Sequence, residues 1–355
     1  MNIEALQREN IRRLKPYSSA RDEFSGRKGI FLDANENALG SAIGEAVNRY
    51  PDPRQSDLKW KIAEIKEVRT EQIFLGNGSD EAIDLPMRAF CEPRRDNVIL
   101  MPPTYGMYTV CAEVNGVEIR LAPLTPEFQI DVANVMQVVT ERSKILLICS
   151  PNNPSGNLMR SADIEKLLRE FPGIVIIDEA YIDFTTEPSW LQRLDEFENL
   201  IVLQTFSKAW GMASLRLGMA FAHPTIIGIL NKIKYPYNIN GVTQRMALDA
   251  LERVPGRDTM IQTLIAERER LADRLKQFSF VERVFPSEAN FLLARFRKAR
   301  VVYEKLLERG IVIRDRSHLL HCENCLRITV GTPDENETLL KTLEGIADAS
   351  ENSLY

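Results

Sequence analysis

KILLICSPNNPSGN, residues 144–157, decides how the chain folds. A short apolar run, Ile145 to Cys149, stops abruptly at a polar loop stiffened by Pro151 and Pro154. A run this short, unbroken and bounded by turn residues, reads as a strand buried on both faces. The next patterned segment, SADIEKLLREF (161–171), repeats apolar residues at helical spacing, with a serine at its start as a cap. A second apolar run, IVIID (174–178), follows at once. Strand, helix and strand in so few residues predict a parallel pair joined by a helix.

The same alternation extends outward in both directions. Candidate strands are IFL (73–75), NVILM (97–101), VEIRL (117–121), LIVLQ (200–204) and MAFA (219–222). Together they predict a mostly parallel α/β sheet with helices on both faces. After a long charged helix at 263–278 the pattern changes. NFLLARF, IVIRD and CLRITV then alternate with helices at 298–309 and 333–348, which predicts a smaller α+β unit. The first residues, up to about Pro16, read as one amphipathic helix.

Composition narrows the function. The chain has 355 residues, is 44% hydrophobic and 27% charged, and carries a formal net charge of −5. No basic cluster stands out, which argues against nucleic acid as the main partner. No run of 18 apolar residues is present. The N-terminus lacks the apolar stretch of a secretory signal. Five cysteines at scattered spacings do not make a disulfide framework, and the expected compartment is the reducing cytoplasm. Cys322 and Cys325 form a C-x-x-C after His321, half a zinc site by spacing; with no second pair, a loop entering a strand is the simpler reading and no metal is expected.

Ligands of open α/β sheets gather at the carboxyl ends of the strands, and the distinctive motifs lie there. GNGSDEAI follows IFL: Gly76 and Gly78 allow a tight turn, and Ser79 or Asp80 begins a helix whose free N–H groups suit an anion. An ordinary capped helix would look the same. SPNNPSGN offers the amides of Asn152 and Asn153, more polarity than a turn requires. IVIIDEAYIDF ends a buried strand in Asp178, with Tyr181 three residues on. Such a carboxylate is costly unless a cation meets it, and the choice is between a salt bridge and a ligand's ring N–H⁺. TFSKAWGMASLRLG (205–218) places Lys208 among Phe206, Ala209 and Trp210, with Ser207 and Arg216 able to hold a phosphate. An anion cup, a buried carboxylate, a phenol, an amide and an amine at successive strand ends fit one ligand, a phosphorylated pyridine aldehyde. Pyridoxal phosphate needs a lysine, an acid facing its ring nitrogen and donors for its phosphate.

With these motifs the chain resembles the fold-type I pyridoxal-phosphate aminotransferases, from LKPYSSARDEF (14–24) to CLRITVGT (325–332). LDANEN (32–37), RYPDP (49–53), PPTYGMY (102–108) and IRD (313–315) point to their histidinol-phosphate branch. The resemblance implies a large domain at 41–255, a small C-terminal domain at 256–355, and residues 1–40 as an arm that also contributes to the small domain. It implies that Lys208 binds the cofactor as a Schiff base and moves protons. Asp178 would pair with the ring nitrogen, Asn153 and Tyr181 with the ring oxygen, and Tyr105 would stack on the ring. Ser79, Asp80, Ser207 and Arg216 would surround the cofactor phosphate, joined by Tyr50 from a second subunit of a homodimer with shared active sites. Tyr17, Asn153, Arg314 and Arg327 would face a small amine or 2-oxo acid substrate. Trp210 often corresponds to Phe in the family, Ser155 to Thr, and Leu217 with Met219 replace a small–aromatic pair; none of these removes a reacting group. The implied activity is transamination of histidinol phosphate with 2-oxoglutarate. A threonine-phosphate decarboxylase or an aromatic aminotransferase on the same fold stays open, as does a non-catalytic regulator domain, which would need a DNA-binding module.

Overall fold

A computed structural model describes residues 2–17 and 29–348 of the chain. Residues 18–24 of LKPYSSARDEF lie outside the described residues. The first half comprises α1 (Ile3–Leu6), α2 (Glu9–Arg13), α3 (Ser56–Lys66), β1 (Ile73–Asn77), α4 (Gly78–Phe90), β2 (Asn97–Leu100), α5 (Met107–Val114) and β3 (Glu118–Leu121). Then come α6 (Val132–Val138), β4 (Ser143–Cys149), α7 (Ser161–Glu170), β5 (Ile174–Asp178), β6 (Leu200–Thr205), β7 (Leu217–Ala222), α8 (Pro224–Ile233) and α9 (Gly241–Leu251). The last part holds α10 (Val254–Leu275), β8 (Val281–Val284), β9 (Phe291–Phe296), α11 (Ala299–Glu308), β10 (Arg314–Asp315), β11 (Cys325–Thr329) and α12 (Pro333–Asp348).

Strands β1 to β7 form one sheet in the order β1-β7-β6-β5-β4-β2-β3. β7 runs antiparallel to both of its neighbours, and the other pairings are parallel. Side chains of a strand alternate between faces, and both faces here are apolar. Leu75, Ile148, Val175, Ile177 and Val202 pack on one side. Phe74, Leu147, Ile176, Ile201 and Leu203 pack on the other. Each fully buried side chain of this size contributes about 1.5–3 kcal/mol, so the unbroken apolar runs are what a doubly covered sheet requires. The register sets Cys149 beside Asp178 and Asp178 beside Leu203, so the ends of β4, β5 and β6 lie level along one edge.

The second sheet, β10-β11-β9-β8, is antiparallel throughout. Its covered face packs Leu292, Leu326 and Ile328 against Leu271 of α10, Val302 of α11 and Leu343 of α12. A small cluster of Tyr181, Phe184, Ala209, Ile261, Ala289 and Phe291 joins this unit to the large sheet's strand ends.

Some local expectations change. The N-terminal helix is two short pieces, because Gln7 and Arg8 are extended. They lie against the large unit: Ile3 is buried in its core, and the Arg8 N–H donates to the Ala89 carbonyl at 2.9 Å. Ser161 is the first helical residue of α7 rather than its cap; Arg160 holds that position without a side-chain bond. In IVIRD only Arg314 and Asp315 are paired, since only these residues lie opposite β11. The long charged helix starts at Val254, nine residues before its expected 263–278 span. Among the described residues, no helix is long and apolar enough to cross a membrane.

Candidate active site

The carboxyl edge of the large sheet and the exposed face of β10–β11 enclose a cavity of about 540 Å³. Ser79, Asp80, Tyr105, Asn153, Asp178, Tyr181, Ser207, Lys208, Arg216, Arg314 and Arg327 all line it. Two expected residues do not. Tyr17 lines a larger cavity of about 1150 Å³ between α3 and α8. The ring of Tyr50 is half exposed and stacks on Tyr237 with centroids 4.6 Å apart.

At the start of α4, Asn77 occupies the cap position but makes no side-chain cap bond. The N–H groups of Ser79 and Asp80 therefore begin an uncapped positive helix end. The Gly78 N–H donates to the Arg216 carbonyl at 2.6 Å, and Nη2 of Arg216 reaches Oδ2 of Asp80 at 3.0 Å. Two backbone features permit this closeness. Gly78 has φ +71°, and Gly218 passes so near the chain that an added Cβ would lie 2.2 Å from the Ser79 nitrogen. Arg216 itself adopts φ +52°, which turns its side chain back over the cup.

Asp178 ends β5 and is 3% exposed. Its Oδ2 accepts from the Tyr108 hydroxyl at 2.8 Å and its Oδ1 from the Ala180 N–H at 3.0 Å. Both donors are neutral. Burial therefore pushes the carboxyl above the usual carboxylate range, although the Tyr108 bond opposes the shift. Lys208 follows β6, with Nζ 5.6 Å from the centroid of the Tyr181 ring. Burial, then the nearby Arg327 guanidinium, lowers its ammonium below the ordinary lysine range. Burial also raises the phenols of Tyr105 and Tyr181, which keeps both as O–H donors. The Tyr105 hydroxyl donates to Oδ1 of Asp80 at 3.3 Å.

The opposite wall is cationic. Arg314 and Arg327 are directly paired across β10 and β11. Nη1 of Arg327 donates to Oδ1 of Asn153 at 2.5 Å, which fixes that amide with its NH₂ end as the remaining donor. The nearby carboxylates are engaged elsewhere: Asp315 accepts from the Ser317 N–H, and Glu323 lies 3.8 Å from Arg295. All five cysteines are free and buried, and no grouping suited to a metal occurs among the described residues.

The sequence reading missed two lining or supporting groups that carried a signal. Tyr108 stands three residues after Tyr105 in the same PPTYGMY motif, just inside α5, and the two rings meet edge to face with centroids 5.5 Å apart. Arg316 stands two residues after Arg314, the spacing that returns to one face of a strand.

A buried carboxylate, a partly desolvated amine, an uncapped helix end and paired arginines suit proton transfer on an anionic substrate held by a phosphorylated cofactor. Comparison with known proteins agrees. The family described as aminotransferase class I and II matches residues 24–343. The histidinol-phosphate aminotransferase of Cytophaga hutchinsonii is 50% identical over 343 residues, covering 97% of this chain and 99% of that protein. The crystal structure of the histidinol-phosphate aminotransferase from Clostridium acetobutylicum superposes with a TM-score of 0.79 at 25% identity, covering 85% of this chain and 92% of that one. L-threonine-O-3-phosphate decarboxylase from Porphyromonas gingivalis, at 25% identity, superposes with a TM-score of 0.73 over 85% of this chain and 91% of that one, so the fold is shared by more than one reaction. With both the family match and the half-identical relative spanning most of its length, the chain belongs to the class I and II aminotransferases.

Proposed function

We propose that the protein is a pyridoxal-phosphate-dependent aminotransferase that converts L-histidinol phosphate and 2-oxoglutarate to imidazole acetol phosphate and glutamate, in histidine biosynthesis. The observation that carries the chemistry is Asp178, a buried carboxylate with only neutral hydrogen-bond donors, in one cavity with the half-buried amine of Lys208. The choice of substrate rests on the half-identical relative and on the arginine wall.

The residues present fit the cofactor. Asp178 lacks the cationic N–H donor that a protonated pyridine ring provides, and the α4 N-terminus with Ser207 and Arg216 supplies donors for a phosphate. When bound, pyridoxal phosphate supplies an electron sink for the pair left as a substrate Cα–H bond breaks. Lys208 would take that proton at Nζ and give it back at the carbon on the far side of the substrate nitrogen, a 1,3 shift. Burial and the nearby Arg327 guanidinium lower its affinity for protons, which favours the free amine. Asp178 would hold the ring proton, Asn153 and Tyr181 would donate to the ring oxygen, and Tyr105 would cover one ring face. Arg314 and Arg327 hold the phosphate of the amine substrate, and in the second half-reaction the far carboxylate of the 2-oxo acid. We assign cofactor binding to residues 41–255 and the smaller unit to 256–355, with 1–40 as an arm, in a cytoplasmic enzyme.

The reaction is tested by an activity panel. Histidinol phosphate, histidinol, phenylalanine and threonine phosphate are each supplied with 2-oxoglutarate. Histidinol phosphate should have the highest kcat/KM, because removing the phosphate leaves guanidinium groups unpaired. A lead for phenylalanine would make the enzyme an aromatic aminotransferase.

Three mutational results are expected. Arg327→Lys keeps the charge and loses the fork, so both half-reactions should weaken by about 1.5–3 kcal/mol per charged hydrogen bond lost; steady-state kinetics on both substrates measures it. Gly218→Ala forces the Ser79 backbone away and should weaken cofactor affinity by about tenfold or more, the loss of at least one charged hydrogen bond, as read by absorbance titration of the apoenzyme. The third concerns assembly. Tyr50 lies outside its own chain's cavity and is assigned to the partner's cofactor phosphate in a homodimer; Tyr17 is assigned across the same boundary. Mixed Tyr50→Ala and Lys208→Ala subunits should recover one intact site per heterodimer, about half the wild-type turnover per dimer. Isolated heterodimers that stay inactive would remove Tyr50 from the shared site.

A further inference from the structure

The arginine wall holds a third member that the proposed roles leave unused. The Arg316 N–H donates to the Cys325 carbonyl at 2.9 Å, which extends the β10–β11 ladder one residue past Arg314 and Asp315. Side chains alternate across a ladder. Asp315 and Leu326 therefore share one face, where Leu326 enters the small unit's core. Arg314, Arg316 and Arg327 share the other face, and all three line the active-site cavity.

Three guanidinium groups crowded on one face repel one another, and among the described residues none of them forms an ion pair with a carboxylate. The Nε atoms of Arg316 and Arg327 are buried without a hydrogen-bond partner. A buried charged donor left unsatisfied is destabilising, so such an arrangement is maintained where an anion completes it. A carboxylate brings one negative charge and two oxygens. A phosphate monoester brings close to two charges and three acceptor oxygens, a better match for three forks.

We infer that Arg316 is a specificity-determining residue, the third arm of the substrate subsite, which favours a phosphate monoester over a carboxylate. The inference rests on the proposed transamination for its substrate, but the phosphate preference can be read without it. Arg314 and Arg327 serve both half-reactions. Arg316 adds a contact that only the larger, more highly charged group uses. The two substrates should therefore respond differently when Arg316 is changed.

The test compares holoenzyme of wild type, Arg316→Gln and Arg316→Lys. Three quantities are measured: kcat and KM for histidinol phosphate, kcat/KM for glutamate in the reverse half-reaction, and the inhibition constant of inorganic phosphate against glutamate. In Arg316→Gln, KM for histidinol phosphate and the phosphate inhibition constant should rise by about tenfold or more, the loss of one charged hydrogen bond. The kcat and the glutamate value should change by less than about threefold. Arg316→Lys should recover part of the phosphate affinity. Equal losses for glutamate and histidinol phosphate would make Arg316 a structural residue and overturn the inference. Unchanged phosphate inhibition would overturn it as well. If wild type fails to turn over histidinol phosphate, the proposed reaction falls, and the inorganic phosphate arm still decides the role of Arg316.

Discussion

Lys208→Ala is expected to lower transamination by at least about 10³-fold, since proton transfer by a positioned group alone contributes about 10²–10⁴-fold and the covalent link to the cofactor is lost with it. The site offers no substitute. No second amine lines the cavity: apart from His318, which cannot form a Schiff base, its other basic side chains are arginines, which do not release a proton at working pH. Stopped turnover alone would not show which atom reacts, so the measurement pairs kinetics with borohydride reduction of the wild-type holoenzyme. Peptide mapping should recover the reduced adduct on Lys208. Recovery on any other lysine would end the assignment, and Lys59, which burial and the nearby Lys234 lower to about 8, is the other such amine among the described residues.

Asp178→Asn should separate stability from catalysis. In the holoenzyme the substitution removes a charge facing the ring proton, and kcat should fall by about 10²–10³-fold, the loss seen when one preorganised electrostatic contact is removed. In the apoenzyme the effect should reverse. Burial raises the carboxyl's folded pKa above its ordinary 3.8. A group raised on folding contributes stability that is fully present below the unfolded value and lost as pH rises through the folded value. Above the unfolded value the wild-type apoenzyme is therefore destabilised by this group, which ionises less readily folded than unfolded. Asn removes the charge and keeps both contacts: its Oδ1 accepts from the Ala180 N–H, and its NH₂ donates to the Tyr108 hydroxyl, which turns to accept. Thermal unfolding of the two apoenzymes should place Asp178→Asn at or above wild type at pH 7, with the advantage gone near pH 4. Near-normal turnover, or a less stable apo variant at pH 7, would show that Asp178 is paired with something other than the ring.

The parts of the site that could be read from sequence are those where position follows from a strand's end. Asn153, Asp178 and Lys208 each come just after a short apolar run, and parallel pairing lines those ends up. Arg216 precedes β7 and reaches the same edge because that strand runs backwards. What could not be read depends on distant backbone. β8 is VERV, with no apolar run; it is a strand because Phe296, Arg295 and Ala294 lie beside it. β10 is short for the same reason: Ile311 and Val312 have the composition of a strand but no partner opposite them. The break between α1 and α2 follows from docking, since the Arg8 N–H bonds Ala89 rather than its own helix. Tyr17 and Tyr50 were assigned by resemblance, and a single chain does not bring them to the cavity.

The reversed strand β7 has a consequence for how the ligand is gripped. In an all-parallel sheet the chain would leave the end of β6, cross a face and return at the far edge, about 20 Å away for a six-residue strand. Here β6 and β7 are consecutive partners, with Thr205 opposite Gly218. The loop between them carries Ser207, Lys208 and Arg216. The groups proposed to meet the cofactor's ring system and its phosphate are thus on a single covalent tether, and folding the loop sets the distance between amine and guanidinium before any ligand arrives. The entropy of bringing those two groups together is spent in folding, so binding gains the effective molarity of an intramolecular arrangement. Lengthening that loop by one residue would loosen both ends of the grip at once, whereas the same insertion after β5 would disturb only one.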